Sequence, residues 1–333
     1  MLLRLFKGIS PGVIFLIAII LVTVWIGTFL NHPANQLSGD TTGPMPLYGI
    51  LVKFIGNNHY LRVIFSFSLV AIMAFILTNF NTTIFFINER TYLPALIYVL
   101  IGGILPQGQL LNPVLPASLF LILAIIRLMD GYRITGIAYC FFDAGFLISI
   151  GSLFYANLIW FGLLLIIGII LLRTGNLGEI VISVLGLITP YLITFGMYYV
   201  LGEDLASLLS LVISNLLERS EAYVISRLEI ITLIFTGIII VVSLIYLFML
   251  MNTKKIKSRK TFFLLIWTFL ISLGICIVLP SATTGMVWLI SIPSSYFMTH
   301  YFVFVKKKLV PEVFFSVFVI LVLLIQILRW YHQ

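Results

Sequence analysis

Charge is what this chain has least of. Only 9% of its 333 residues are Asp, Glu, Lys or Arg, where a soluble domain carries about 25%. That excludes a fold whose whole surface faces water. Acids are scarcer still, 11 against 19 basic residues, and only one, Asp40, precedes Glu89. The two cysteines, Cys140 and Cys276, both fall inside apolar runs. They exclude a disulfide scaffold and read as two buried thiols. The alternating ten-residue segments of an outer-membrane barrel are absent. So are HExxH, Walker, GxSxG and dinucleotide motifs, and the four histidines show no metal-ligand spacing. No internal repeat stands out, which argues against the inverted-repeat transporter folds.

What is present is hydrocarbon. Hydrophobic residues make up 62% of the chain and the mean hydropathy is +1.20. Apolar runs of about 20 residues, enough to cross a ~30 Å core, recur from end to end. The sequence predicts an all-α, polytopic transmembrane helix bundle forming a single membrane domain over 1–333. About eleven spans are expected: Pro11–Leu30, Leu61–Phe80, Tyr92–Leu105, Pro113–Met129, Ile134–Phe154, Leu158–Leu172, Ile180–Leu201, Leu228–Met251, Phe262–Leu279, Met286–Val305 and Val310–Leu328. The first run is of full spanning length and ends on Asn31-His32-Pro33, a poor cleavage site, so it reads as a span and not as a signal peptide.

The net charge of +8 resolves into topology. With the N-terminus inside, the inner side holds Arg4, Lys7, Arg90, Arg127, Arg133, Arg173, Lys254–Lys260 and Lys306–Lys308, and the outer side only Lys53, Arg62, Arg219, Arg227 and Arg329. This is the asymmetry of the positive-inside rule. The basic clusters read as orientation signals in contact with anionic headgroups, which leaves no nucleic-acid role.

Two outer loops exceed turn length and carry helical patterns. In Asn31–Arg62, Leu47, Ile50, Leu51, Phe54 and Ile55 recur at helical spacing. In Gly202–Arg227, Leu205, Leu208, Leu209, Val212, Leu216 and Leu217 do the same. Both predict amphipathic helices lying in the interface. Glu203 and Asp204 open the second, where carboxylates complement the helix dipole.

The chemistry these loops offer is sparse. Asp40 sits in Ser-Gly-Asp-Thr, fit for a general base or a divalent-cation ligand and equally for a solvated turn. His59, Arg62, Arg219 and Arg227 are outer-side cations able to hold a phosphate or pyrophosphate, or simply to reach headgroups. Asp143 falls inside the expected fifth span, where an acid costs roughly 2.5–3.5 kcal/mol. It reads either as a proton or substrate contact, or as an interhelical hydrogen bond helped by close approach at Gly145 and Gly151.

The layout resembles the GT-C class of membrane glycosyltransferases. Both long loops fall where that class has its own, after span one and between spans seven and eight. Gly43-Pro44-Met45-Pro46-Leu47-Tyr48 with Gly56 and Leu61-Arg62, and Arg90-Thr91-Tyr92-Leu93-Pro94-Ala95, are similar to its text. The likeness covers about 5–230, leaving C-terminal helices over about 231–333. It implies a polyprenyl-phosphate sugar donor and a first-loop acid, which here is Asp40. The chain is also similar to an uncharacterised multipass inner-membrane family of Bacteroidota, which implies a bacterial inner membrane and no reaction. Beside the enzyme stand two other readings: a catalytically silent scaffold with partners in a cell-envelope complex, and a transporter using Asp143.

Overall fold

The computed structural model describes residues 2–8, 10–30, 43–132, 139–172, 177–220, 225–306 and 309–331. Helix is the only regular structure among them, as a lipid-embedded chain requires, because each backbone group must then find its partner within the segment. In order these are α1 (Leu2–Phe6), α2 (Pro11–Leu30), α3 (Pro46–Ile55), α4 (His59–Ile84), α5 (Leu93–Gly102), α6 (Val114–Asp130), α7 (Tyr139–Ser152), α8 (Gly162–Leu172), α9 (Leu177–Val200), α10 (Leu205–Leu217), α11 (Arg227–Leu250), α12 (Ile256–Val278), α13 (Val287–Phe304) and α14 (Leu309–Tyr331).

Six helices are long and apolar enough to cross a membrane: α2, α4, α9, α11 with its following turn, α12 and α14. By length and composition these account for six of the eleven expected spans among the described residues. Of the stretch read as span three only ten residues, α5, form a helix, whereas α6 and Ala156–Leu172 run the length expected of the fourth and sixth. α5 is a 10-residue helix, about 15 Å long at 1.5 Å per residue, half the hydrocarbon thickness. Gly102-Gly103 and Pro106 end it, and a 3-10 turn at Pro106–Gln109 follows. Every residue of α5 is buried, so its apolarity serves the protein interior. The N-terminal end of the expected fifth span, 134–138, lies outside the described residues.

α13 is the axis of the bundle, buried along nearly its whole length. Its Trp288 packs against α5 so closely that a Cβ on Gly102 would overlap the ring. Tyr98 and Trp25 complete this aromatic centre, with ring centroids 5.3 and 6.0 Å from Trp288. α7 meets α9 backbone to backbone. A Cβ on Gly145 would strike the Ser183 carbonyl, and one on Gly186 the Phe142 carbonyl. This is the close approach expected at Gly145, in the small-residue mode of membrane helices. Cys140 is buried, whereas Cys276 is exposed on α12, which corrects the reading of two buried thiols: its stretch is apolar because it faces lipid.

The bundle has two unlike ends. At one, Lys7 Nζ donates to the Val303 carbonyl (3.3 Å), Lys260 Nζ to the Leu172 carbonyl (3.4 Å), and the Leu3 amide to Glu312 Oε1 (3.2 Å). Lys254 lies here too, over the rings of Phe262 and Phe304. The other end carries α3, α10 and the last turns of α2 and α14. These are called the basic end and the loop end.

Candidate functional site

The loop end is built from capped helices. Asp204 is the N-cap of α10, its carboxylate accepting from the Ala206 amide at 3.0 Å, so this expected acid has a defined local role. Ser226 and Glu229 form a capping box at the start of α11. Asn58 caps α4 through the Tyr60 amide.

The two loop helices are drawn toward each other. Asn215 Nδ2 on α10 donates to the Gly43 carbonyl at 3.0 Å, just before α3. The far end of α10 is held by Ser281 Oγ, which donates to the Leu216 carbonyl at 2.7 Å, and by the Ser220 amide on the Pro280 carbonyl at 3.1 Å. Leu208 is the residue α10 buries, while Leu205, Leu209, Ile213 and Leu217 stay exposed along another face. Ile50 and Phe54 of α3 are likewise exposed, Phe54 at 90%. Such apolar stripes suit helices lying at a lipid interface.

Of the expected site residues, Asp40 lies outside the described residues, and so does its suggested divalent cation. Among the described residues no group of three or more His, Cys, Asp or Glu could hold a metal. His59 Nε2 lies 2.9 Å from the Thr28 carbonyl. A carbonyl only accepts, so Nε2 carries the proton and satisfies an orphan carbonyl in the last turn of α2. Arg62 straps the turn between α3 and α4, with Nε donating to the Gly56 carbonyl at 3.0 Å and Nη2 to Asn57 Oδ1 at 2.9 Å. That turn needs Gly56, whose φ is 73°. Arg219 and Arg227 are exposed at the end of α10 and the start of α11. All four cations thus lie at the loop end, His59 and Arg62 engaged with backbone and Asn57, Arg219 and Arg227 exposed.

Asp143 stands apart. It lies early in the described part of α7, level with the last turn of α6, where Arg127 Nε approaches its Oδ2 at 3.8 Å and also reaches Asp130 at 3.7 Å. The carboxylate is 38% exposed. A pair this open contributes about 0–1 kcal/mol, and it links Asp143 on α7 to Arg127 on α6.

One cluster escaped the sequence reading. Thr28 Oγ1 on α2 donates to Gln109 Oε1 in the 3-10 turn, and Arg329 Nη1 on α14 donates to Thr28 Oγ1 (3.1 Å) and Gln109 Oε1 (3.5 Å). Ser66 Oγ on α4 donates to the Gln109 carbonyl at 2.7 Å. One turn before Arg329, Gln326 Nε2 donates to the Gly103 carbonyl at 2.7 Å. The available signal was Gln326 and Arg329 at i, i+3 after an apolar run in the last helix.

With the geometry in place, comparison with known proteins adds one finding. Residues 41–331 match the family described as Family of unknown function (DUF6427). The chain belongs to this family. Nothing among curated proteins or solved structures matches it. The DUF6427 match begins one residue after Asp40 and takes in His59, Arg62, Asp143, Arg219, Arg227 and, of the cluster, Ser66, Gln109, Gln326 and Arg329, with Thr28 before its start.

Proposed function

We propose that this DUF6427 protein works at the outer face of a bacterial inner membrane, N-terminus inside, on a polyprenyl-phosphate-linked sugar. The reaction is inverting glycosyl transfer of the GT-C kind. The observation that carries the reading is the joining of the two loop helices, α10 to Gly43 through Asn215, three residues in sequence beyond Asp40. Asp40 serves as general base: it takes the proton of an acceptor hydroxyl, the oxygen attacks the anomeric carbon, and the glycosyl–phosphate bond breaks to release polyprenyl phosphate. Arg219 and Arg227, exposed on the second long loop, are suited to meet the leaving phosphate. A divalent cation at Asp40 would be a variant of this chemistry.

The test is Asp40→Asn in cells, with envelope glycans profiled beside a full deletion. Loss of a general base lowers rate by about 10²–10⁴-fold, so the variant should reproduce the deletion. Unchanged glycans in Asp40→Asn, set against a clear defect in the deletion, would refute the catalytic role.

A second reading has its own support. Arg62 and His59 are both engaged in holding the fold, as expected of a silent scaffold or accessory subunit in an envelope-biogenesis complex. It predicts stoichiometric partners on native purification and a harmless Asp40→Asn.

A further inference from the structure

We infer that the cluster between α2, the 3-10 turn and α14 is a binding site for a phosphate ester group, held by Gln109, Trp25 and Arg329. Gln109 is fully buried, and its amide has a defined orientation, since Oε1 receives hydrogens from Thr28 and Arg329. That orientation turns its Nε2 donors toward no acceptor among the described residues. Trp25, also fully buried and one turn before Thr28 on α2, leaves its Nε1–H without a partner as well. Each buried donor left unsatisfied costs about 1–3 kcal/mol, and native interiors rarely keep two so close in sequence to a shared network.

Chemistry selects the occupant. The unpartnered atoms on α2 and the turn are donors, and the guanidinium beside them adds a positive charge. Arg329 at Gln109, with an indole donor one turn along α2 from Thr28, matches an oxyanion with several acceptor oxygens, which is what a phosphate offers. The one unpartnered acceptor nearby, Gln326 Oε1, suits a protonated phosphate oxygen or a bridging water. The depth fits as well. Arg329 is in the last turn of a spanning helix, and Ile26, Leu30 and Ile327 present exposed apolar surface beside it, along which a lipid tail could lie. The inference takes its ligand class from the lipid-phosphate reading above and asks nothing of Asp40. It assigns the phosphate to residues other than the exposed Arg219 and Arg227.

The test uses the purified full-length protein, delipidated in detergent, with three probes: undecaprenyl phosphate, neutral undecaprenol and sodium phosphate. Wild type should bind undecaprenyl phosphate saturably and undecaprenol at least about tenfold more weakly. Arg329→Gln and Gln109→Leu should each weaken phosphate-lipid binding about tenfold or more, while Lys53→Gln, an exposed cation at the same end, should leave it unchanged. Trp25→Phe keeps an aromatic ring at the position and removes the N–H donor with the rest of the indole, without changing any charge. It should weaken binding severalfold and decides the matter if the polar variants do not fold. Displacement by sodium phosphate at similar affinity would identify free phosphate as the ligand of the same site; no displacement would identify the lipid. Equal binding of undecaprenol, wild-type binding in Trp25→Phe and Arg329→Gln, or an equal loss in Lys53→Gln would overturn the inference. Intact binding together with a silent Asp40→Asn would remove the transferase and keep the site. Absent binding with a glycan defect in Asp40→Asn would do the reverse.

Discussion

At the scale of single residues, Lys254 shows how environment acts on charge. It lies outside the spans, at the basic end, and burial pushes its pKa down to about 8. The rings of Phe262 and Phe304, each 5.1 Å from Nζ, offset part of that by favouring the cation. An unfolded lysine keeps its proton to about 10.4. Between those values the unfolded chain holds a proton that the folded one has released, so stability from this residue rises with pH. Below pH 8 both states are protonated and the penalty is complete. Wild type should therefore gain thermal stability relative to Lys254→Met as pH is raised from 8 to 10, followed in detergent. A constant difference across that range would mean that Lys254 is fully solvated. Asp204 was legible at this scale because a cap depends on neighbours in sequence. Arg62 was not, since the same guanidinium can meet a phosphate or strap a turn, and only the position of Gly56 and Asn57 decides which.

At the scale of elements, the contact of α7 with α9 depends on what glycine leaves out. Gly145→Ala places a methyl group against the Ser183 backbone, which cannot give way as a side chain can. A cost of about 1–3 kcal/mol is expected, read as a lowered midpoint in detergent unfolding. Gly196→Ala, also in α9 but with open space around its Cα, should leave the midpoint unchanged or raise it, alanine being the better helix former by about 1 kcal/mol. Equal effects would show that helix propensity, and not the α7–α9 approach, controls both sites. Both loop helices were legible from their spacing, and α3 and α10 fall where the pattern placed them. That α5 is wholly buried was not legible, because a window of hydropathy does not distinguish a helix buried in protein from one bathed in lipid.

At the scale of the whole molecule, the two unlike ends make orientation testable. In a background lacking Cys140 and Cys276, Arg219→Cys at the loop end and Lys255→Cys at the basic end place exposed thiols on opposite sides. A membrane-impermeant maleimide added to spheroplasts should label the first and spare the second until the cells are opened. The reverse pattern would invert the topology and place the Asn31–Arg62 loop in the cytoplasm. Either result also decides which leaflet could supply a lipid to the Gln109–Arg329 cluster.

Hydropathy and charge are local quantities, and what depends on them was determined by the sequence: a helical membrane chain, amphipathic helices in the two long loops, and an acid at the start of α10. Tertiary structure decided the rest. It made α13 and the short α5 the buried centre and paired Asp143 with Arg127. It also assembled Thr28 with Gln109 and Arg329, partners 81 and 301 residues away along the chain. A polar side chain in hydrocarbon must find its hydrogen bonds wherever the packed helices bring them, and no stretch of sequence records which distant helix that will be.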